Sequence, residues 1–152
     1  MHINEGNVSP STRSEGSYMS AKEVVQQFCD GMVDRNAEAL RPLLADEVVY
    51  QNAGMPAAKG IEATLAALTF QFEMFPDSYE YETIDTVSEG DVVMNERLDY
   101  IRGPDGDRHG LPVMGSFVVR DGKIVRWTDY WDSALIAKMM SGEDYSSLVP
   151  RY

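Results

Sequence analysis

The chain has 152 residues, of which 43% are hydrophobic and 25% charged. That is the composition of one globular domain, large enough for a sizeable core with a pocket inside it. With 13 Lys and Arg against 25 Asp and Glu the net charge is −12, which repels phosphate backbones and anionic lipid and argues against nucleic-acid or membrane partners. The single cysteine, Cys29, excludes an intrachain disulfide and a Cys-built zinc site. His2 and His109 are the only histidines, too few for a His-rich metal centre. No run of about 18 apolar residues offers a membrane span. The first residues carry neither the basic start nor the apolar run of a secretory signal, so a cytoplasmic protein is expected.

Residues 1–18 are rich in Ser, Gly, Asn and Glu and read as a flexible or draped tail. A single domain is expected over residues 19–141, with residues 142–152 as a second tail. Ser20 and Glu23 form a capping box, and Val25, Phe28, Cys29 and Met32 recur behind it at helical spacing. Asn36 suits the N-cap of a second, short helix carrying Leu40, Leu43 and Leu44, with Pro42 limiting its regularity. Val48, Val49 and Tyr50 make a short strand. A loop with Gly54, Pro56 and Gly60 leads into a third helix. Its apolar stripe is Ile61, Leu65, Leu68, Phe72 and Phe75, and Pro76 ends it.

The pattern then changes to period two. Residues 79–87, 91–102, 109–120 and 123–132 are four strand candidates. Glu89-Gly90 and Asp121-Gly122 mark tight turns, and Gly103-Pro104-Asp105-Gly106 a longer one. Strands joined this way form an antiparallel meander. A last helix over 134–140 stops at Gly142. Helices first and a meander after predict an α+β domain, its helices packed on one face of a curved sheet and a pocket between them. Cys29 is expected in the core, His109 exposed near its turn, and Met139 and Met140 in the packing of the last helix.

Strand alternation sorts side chains by face. In the last strand Val125, Trp127, Asp129 and Trp131 share one face; in the strand before it Leu111, Val113, Phe117 and Val119 do. A carboxylate among Trp and Val loses hydration, which is costly unless partners replace the water. Arg97 and Asp99 lie side by side on the second strand of the meander. On a pocket face, the planar fork of Arg97 would bridge Asp99 and Asp129. Two carboxylates and one guanidinium then leave a negative charge in a low-dielectric site, which favours one shared proton. One carboxyl serves as acid and the other as base. Tyr50 and Asn52 share a face and, near a carboxylate, can hold a water molecule. Plainer readings stand beside these: a solvated Arg97–Asp99 pair on an exposed face, and Asp129 as a helix cap.

Three motifs carry a resemblance. They are Tyr50-Gln51-Asn52 before the glycine-bounded loop and helix, Glu96-Arg97-Leu98-Asp99 on a middle strand, and Trp127-Thr128-Asp129-Tyr130-Trp131-Asp132 on the last strand. In order and spacing they resemble the limonene-1,2-epoxide hydrolase family, across nearly the whole folded part. The resemblance implies the cone-shaped α+β barrel of NTF2-like, SnoaL-like or cystatin-like proteins. It also implies one-step hydrolysis of an apolar or cyclic epoxide to a vicinal diol, with no cofactor and no metal, in a homodimer. By the same resemblance Asp129 is the base, Tyr50 and Asn52 hold the water, Asp99 is the acid and Arg97 bridges the carboxylates. Leu111, Val113, Phe117, Trp127, Trp131 and Phe75 would form the apolar wall. Trp131 stands where the family usually has a smaller aromatic and Thr128 where it often has a basic residue, which bears on the substrate's size and shape. Two other readings use the same fold. An isomerase or cyclase on a steroid- or polyketide-like ligand needs a donor aimed at a carbonyl, without a bridging Arg; the other is a non-catalytic ligand-binding protein.

Overall fold

A computed structural model describes residues 18–151; the expected N-terminal tail, residues 1–18, lies outside the described residues except for Tyr18. The first helix, α1 (Ala21–Asp30), begins at its capping box: Glu23 N–H donates to Ser20 Oγ at 3.2 Å and Ser20 N–H to Glu23 Oε2 at 2.7 Å. Val24, Val25, Phe28 and Cys29 form its buried face, and Met32 continues that face in the 3-10 turn Gly31–Asp34. Asn36 caps the one-turn α2 (Ala37–Leu40). Pro42 then falls in a 3-10 turn, Arg41–Leu43, since it has no N–H to continue a helix. Leu44, expected on that helix, instead opens strand β1 (Leu44–Asn52). After the two-residue β2 (Ala58–Lys59) comes α3 (Ile61–Met74), with Phe75 at its C-cap.

The four strands read from period two are β3 (Tyr79–Glu89), β4 (Val92–Arg102), β5 (Arg108–Arg120) and β6 (Lys123–Tyr130), an antiparallel meander. The sheet order is β2-β1-β6-β5-β4-β3. Strand β1 thus joins the far side of β6, running parallel to it, with Tyr50 beside Trp127 and Asn52 beside Asp129. The sheet stays open, with β2 and β3 as its edges, so the barrel implied by the resemblance is not closed. Helices α1 and α3 cover one face of this curved α+β sheet. There Phe28 meets Trp127 edge-on at 4.9 Å and Phe117 at 6.3 Å. The other face leaves Met94, Met114 and Tyr130 exposed.

The pairing of β5 with β6 slips where Val118 faces Arg126 and Val119 faces Ile124, so Val125 bulges out of register. Ile124 is buried in its place. The expected inner row of Val125, Trp127, Asp129 and Trp131 therefore loses its first member. The last helix, α4 (Ser133–Ser141), is capped by Asp132, whose Oδ1 accepts from Ala134 N–H at 2.9 Å; Asp129 has no part in the cap. The helix closes on Gly142, at φ 76°, in the left-handed conformation that glycine adopts without strain. Of the two methionines only Met139 is buried. The segment after Gly142 is not loose: Tyr145 is buried against Ile101, Leu111, Leu135 and Met139, and the area of one aromatic ring anchors it. His109 is half-buried rather than exposed, with Nε2 3.0 Å from the Asp105 carboxylate and its ring 5.7 Å from that of Tyr145. Among the described residues no helix is long and apolar enough to cross a membrane.

Candidate active site

The inward row of β4 is Val93, Asn95, Arg97, Asp99 and Ile101, all buried beneath the helices. Arg97 is 0% exposed. Its Nε donates to Asp99 Oδ1 at 2.8 Å, and its Nη1 to Asn95 Oδ1 at 3.1 Å. Its Nη2 donates both to Asp99 Oδ2 at 3.2 Å and to Asp129 Oδ2 at 2.5 Å. The guanidinium also lies over the ring of Tyr81, 4.3 Å from its centroid. The other oxygen of Asp129 accepts from Trp127 Nε1 at 2.6 Å. This arrangement depends on a glycine one strand away. A Cβ on Gly115 would collide with Arg97 Nη1 and stand 2.5 Å from Asn95 Oδ1 and 2.7 Å from Phe117.

Burial pushes both carboxyls up. Asp99 rises from 3.8 to about 7: burial dominates, the charge of Arg97 opposes it, and the neighbouring Asp129 adds to the rise. Asp129 is raised by burial too, against the pull of Arg97 and the hydrogen bond from Trp127. For Arg97 burial works against the charge, but Asp129 and Asp99 outweigh it and the guanidinium stays protonated. Two carboxylates and one guanidinium would be net negative at a site largely shielded from bulk solvent, so the pair holds a proton into the neutral range.

Beside Asp129, Tyr50 stacks on Trp127 with ring centroids 3.9 Å apart. Its hydroxyl oxygen accepts from Asn52 Nδ2 at 2.8 Å and from Gln71 Nε2 at 2.7 Å. Trp131 Nε1 donates to Asn52 Oδ1 at 2.8 Å, and Tyr79 OH to Gln71 Oε1 at 2.6 Å. Burial and the nearby Asp129 push the Tyr50 phenol up, so it keeps its proton. A cavity of about 410 Å³ opens here; among the described residues Asp99 and Asp129 are the only charged ones lining it. Its walls include Phe70, Met74, Ile101 and Ile136. Two larger and more open grooves, about 560 and 580 Å³, lie by the C-terminal segment and beside α1 and β3, away from these carboxyls.

The five polar residues read from the sequence, Tyr50, Asn52, Arg97, Asp99 and Asp129, are therefore brought together, and all but Arg97 line the cavity. Of the expected apolar wall, Leu111, Val113, Trp131 and Phe75 line it. Phe117 and Trp127 do not: both are 0% exposed, on the correct face but sealed in the core by Phe28 of α1. Sequence reasoning missed Asn95, Gly115, Gln71 and Tyr79. Asn95 had a signal, since it lies two residues before Arg97 and so on the same face. Gln71 interrupts the inward stripe of α3 one turn after Leu68, a polar residue at an apolar position. Among the described residues no three His, Cys, Asp or Glu side chains converge as metal ligands.

Fold and site together define a SnoaL-like, NTF2-like α+β domain with a buried cluster of one arginine and two carboxyls at the wall of a cavity. Residues 25–127 match the family model of the SnoaL-like domain, and the chain belongs to that family. Epoxide hydrolase EphG of Mycobacterium tuberculosis is 29% identical over 109 residues, covering 71% of this chain and 70% of its own. The solved structure of an M. tuberculosis LEH-like epoxide hydrolase superposes with a TM-score of 0.68 at 27% identity, over 86% of this chain and 96% of that one. A proposed SnoaL-like polyketide cyclase from Jannaschia sp. CCS1 superposes at 0.70 with 19% identity, over 87% and 99%, a likeness of fold.

Proposed function

We propose that this chain is a cofactor-independent epoxide hydrolase that adds water in one step to a neutral, apolar or cyclic epoxide. The observation that carries the reading is one buried Arg97 spanning two buried carboxyls, both raised, at the wall of an apolar cavity. Similarity to two epoxide hydrolases supports it. Asp129, ionised, takes a proton from a water held beside it with the help of Tyr50 and Asn52. The water oxygen bonds to an epoxide carbon as the strained C–O bond breaks. Asp99, protonated, gives its proton to the departing oxygen, and a vicinal diol results. The pair ends the turnover with the same one proton, now on Asp129, and that proton must pass back to Asp99 before the next turnover; Arg97 Nη2 donates to both carboxyls throughout and keeps its own protons. Each of the two proton transfers is worth about 10²–10⁴-fold in rate. The acidic chain, and a lining whose charges among the described residues are the two carboxyls, disfavour an anionic substrate.

The test is a panel of apolar and cyclic epoxides in ¹⁸O-water. Diol carrying the label after a single turnover, with none left in the protein, is the expected result. No diol from any of them sinks the proposal. A fold shared with a proposed polyketide cyclase keeps a second reading in view, in which Asp129 removes a C–H proton. Arg97 argues against it by tying up both carboxyls, and deuterium exchange from solvent into an enone would favour it.

A further inference from the structure

We propose that Gln71 and Trp131 are positioning residues that hold the Tyr50 hydroxyl as a hydrogen-bond donor toward the reacting water. The inference rests on the hydrolase reading, which gives Tyr50 and Asn52 a water to hold but does not say which way their hydrogen bonds run. The direction follows from what surrounds them. An indole N–H can only donate. Trp131 Nε1 lies 2.8 Å from Asn52 Oδ1, so the Asn52 amide must turn its oxygen to Trp131 and its NH₂ to Tyr50. From the other side, Tyr79 OH donates to Gln71 Oε1, which turns the Gln71 NH₂ to Tyr50 at 2.7 Å. Two N–H groups thus occupy the acceptor side of the Tyr50 oxygen. Its own hydrogen is left to be given away, and Asp129 and the cavity lie beside it.

A water between Tyr50 and Asp129 would then receive a hydrogen bond from the phenol and give one to the carboxylate. One lone pair is engaged by Tyr50 and the other is aimed at the epoxide. If the Asn52 amide were reversed, or Gln71 lost its N–H, the phenol could turn its hydrogen onto either of them and release the water. Trp131, first read as a wall for the substrate, thereby acquires a second task, exerted through Asn52. Residues from α3, from β3 and from just beyond β6 converge on one hydroxyl.

The experiment measures kcat and KM for Trp131→Phe and Gln71→Leu, each alone and in a Tyr50→Phe background. Each single variant is expected to lower kcat about 10-fold with KM within about threefold. In the Tyr50→Phe background neither should lower it further. Losses that persist without the phenol, or a KM rise with kcat intact, overturn the proposal and leave these residues as cavity wall. Gln71→Glu keeps the shape but, when ionised, accepts from Tyr50 instead of donating. Its kcat loss should ease on acidification as the carboxyl regains a proton, and a loss independent of pH counts against the proposal. If the wild type opens no epoxide, the hydrolase reading falls by itself, and the relay is then read from side-chain amide NMR spectra. Trp131→Phe should shift the NH₂ resonances of Asn52 and, through Tyr50, those of Gln71. An unmoved Gln71 pair overturns the relay.

Discussion

On the surface, Arg41 joins Glu38 and Glu62, with Nε 2.7 Å from one carboxylate and Nη1 2.7 Å from the other. In the interior, Arg97 joins Asp99 and Asp129 at 2.8 and 2.5 Å. Each group has one guanidinium, two carboxyls and similar distances, yet the carboxyls move in opposite directions. Glu38 and Glu62 are held below their ordinary value by hydrogen bonds from Arg41. Asp99 and Asp129 are pushed up by burial in spite of Arg97. Water is the difference. In solvent it shields the second carboxylate from the first, and each simply gains from the cation; in the core burial strips most of that hydration from both charges, so one of the two prefers a proton. An ion cluster of this shape becomes acid–base material when it is buried, and only then.

The largest effect should come from removing the interior cation. Arg97→Ala strands two buried carboxyls, and the cost is expected to be about 3–5 kcal/mol. The deficit is greatest above neutral pH and shrinks on acidification, because the orphaned carboxyls are neutralised by protons. Denaturant melts at pH 5 and pH 8 measure it; equal deficits at both would mean that uncompensated charge is not the cause. Asp99→Asn comes next. It should lower epoxide turnover by about 10²–10⁴-fold while keeping the fold. It should also flatten the pH dependence of stability. A carboxyl raised from 3.8 to about 7 in the folded state binds its proton more tightly there than in the unfolded chain. Its contribution is therefore full below pH 3.8 and is lost as pH rises toward 7. Asn has no proton to lose, so the fall between those values should diminish in thermal melts.

Much of this contrast could be read before the structure, and its limits have a physical origin. The capping box at Ser20 and Glu23, the stop at Gly142 and the four meander strands are local features, written in neighbouring residues. Alternation put Arg97 and Asp99 on one face, but it cannot say whether that face is wet, and the whole comparison between Arg41 and Arg97 turns on that. Alternation also gives face without depth, which is why Phe117 and Trp127 were expected in the cavity wall and lie sealed under Phe28. The parallel seating of β1 against β6, which sets Tyr50 and Asn52 beside Asp129, joins segments nearly eighty residues apart and leaves no local trace. The bulge at Val125 is likewise a matter of pairing rather than of composition.

Gly115→Ala sharpens the comparison without changing any charge. The new methyl group would press on Arg97 Nη1 and Asn95 Oδ1 from the neighbouring strand. Overpacking of this kind costs about 1–3 kcal/mol. The expected result is a moderate loss of stability with a larger loss of turnover, because a shifted guanidinium cannot span both carboxyls. Unchanged turnover together with a lowered melting temperature would show that the position of Arg97 does not matter to the chemistry.

The smallest effect belongs to the surface cluster. Arg41 is 36% exposed in its side chain and its partners 68% and 78%, so solvent and salt take up most of what the pairing supplies. Arg41→Ala is expected to move the melting temperature by no more than about 2 °C. The residual difference should fade between low and physiological salt, and turnover should not change, since no atom of the cluster lines the cavity. A loss comparable to that of Arg97→Ala would break the comparison at its root. It would mean that three charges in contact are equally committed wherever they lie, and burial could no longer explain why only the interior cluster holds a proton.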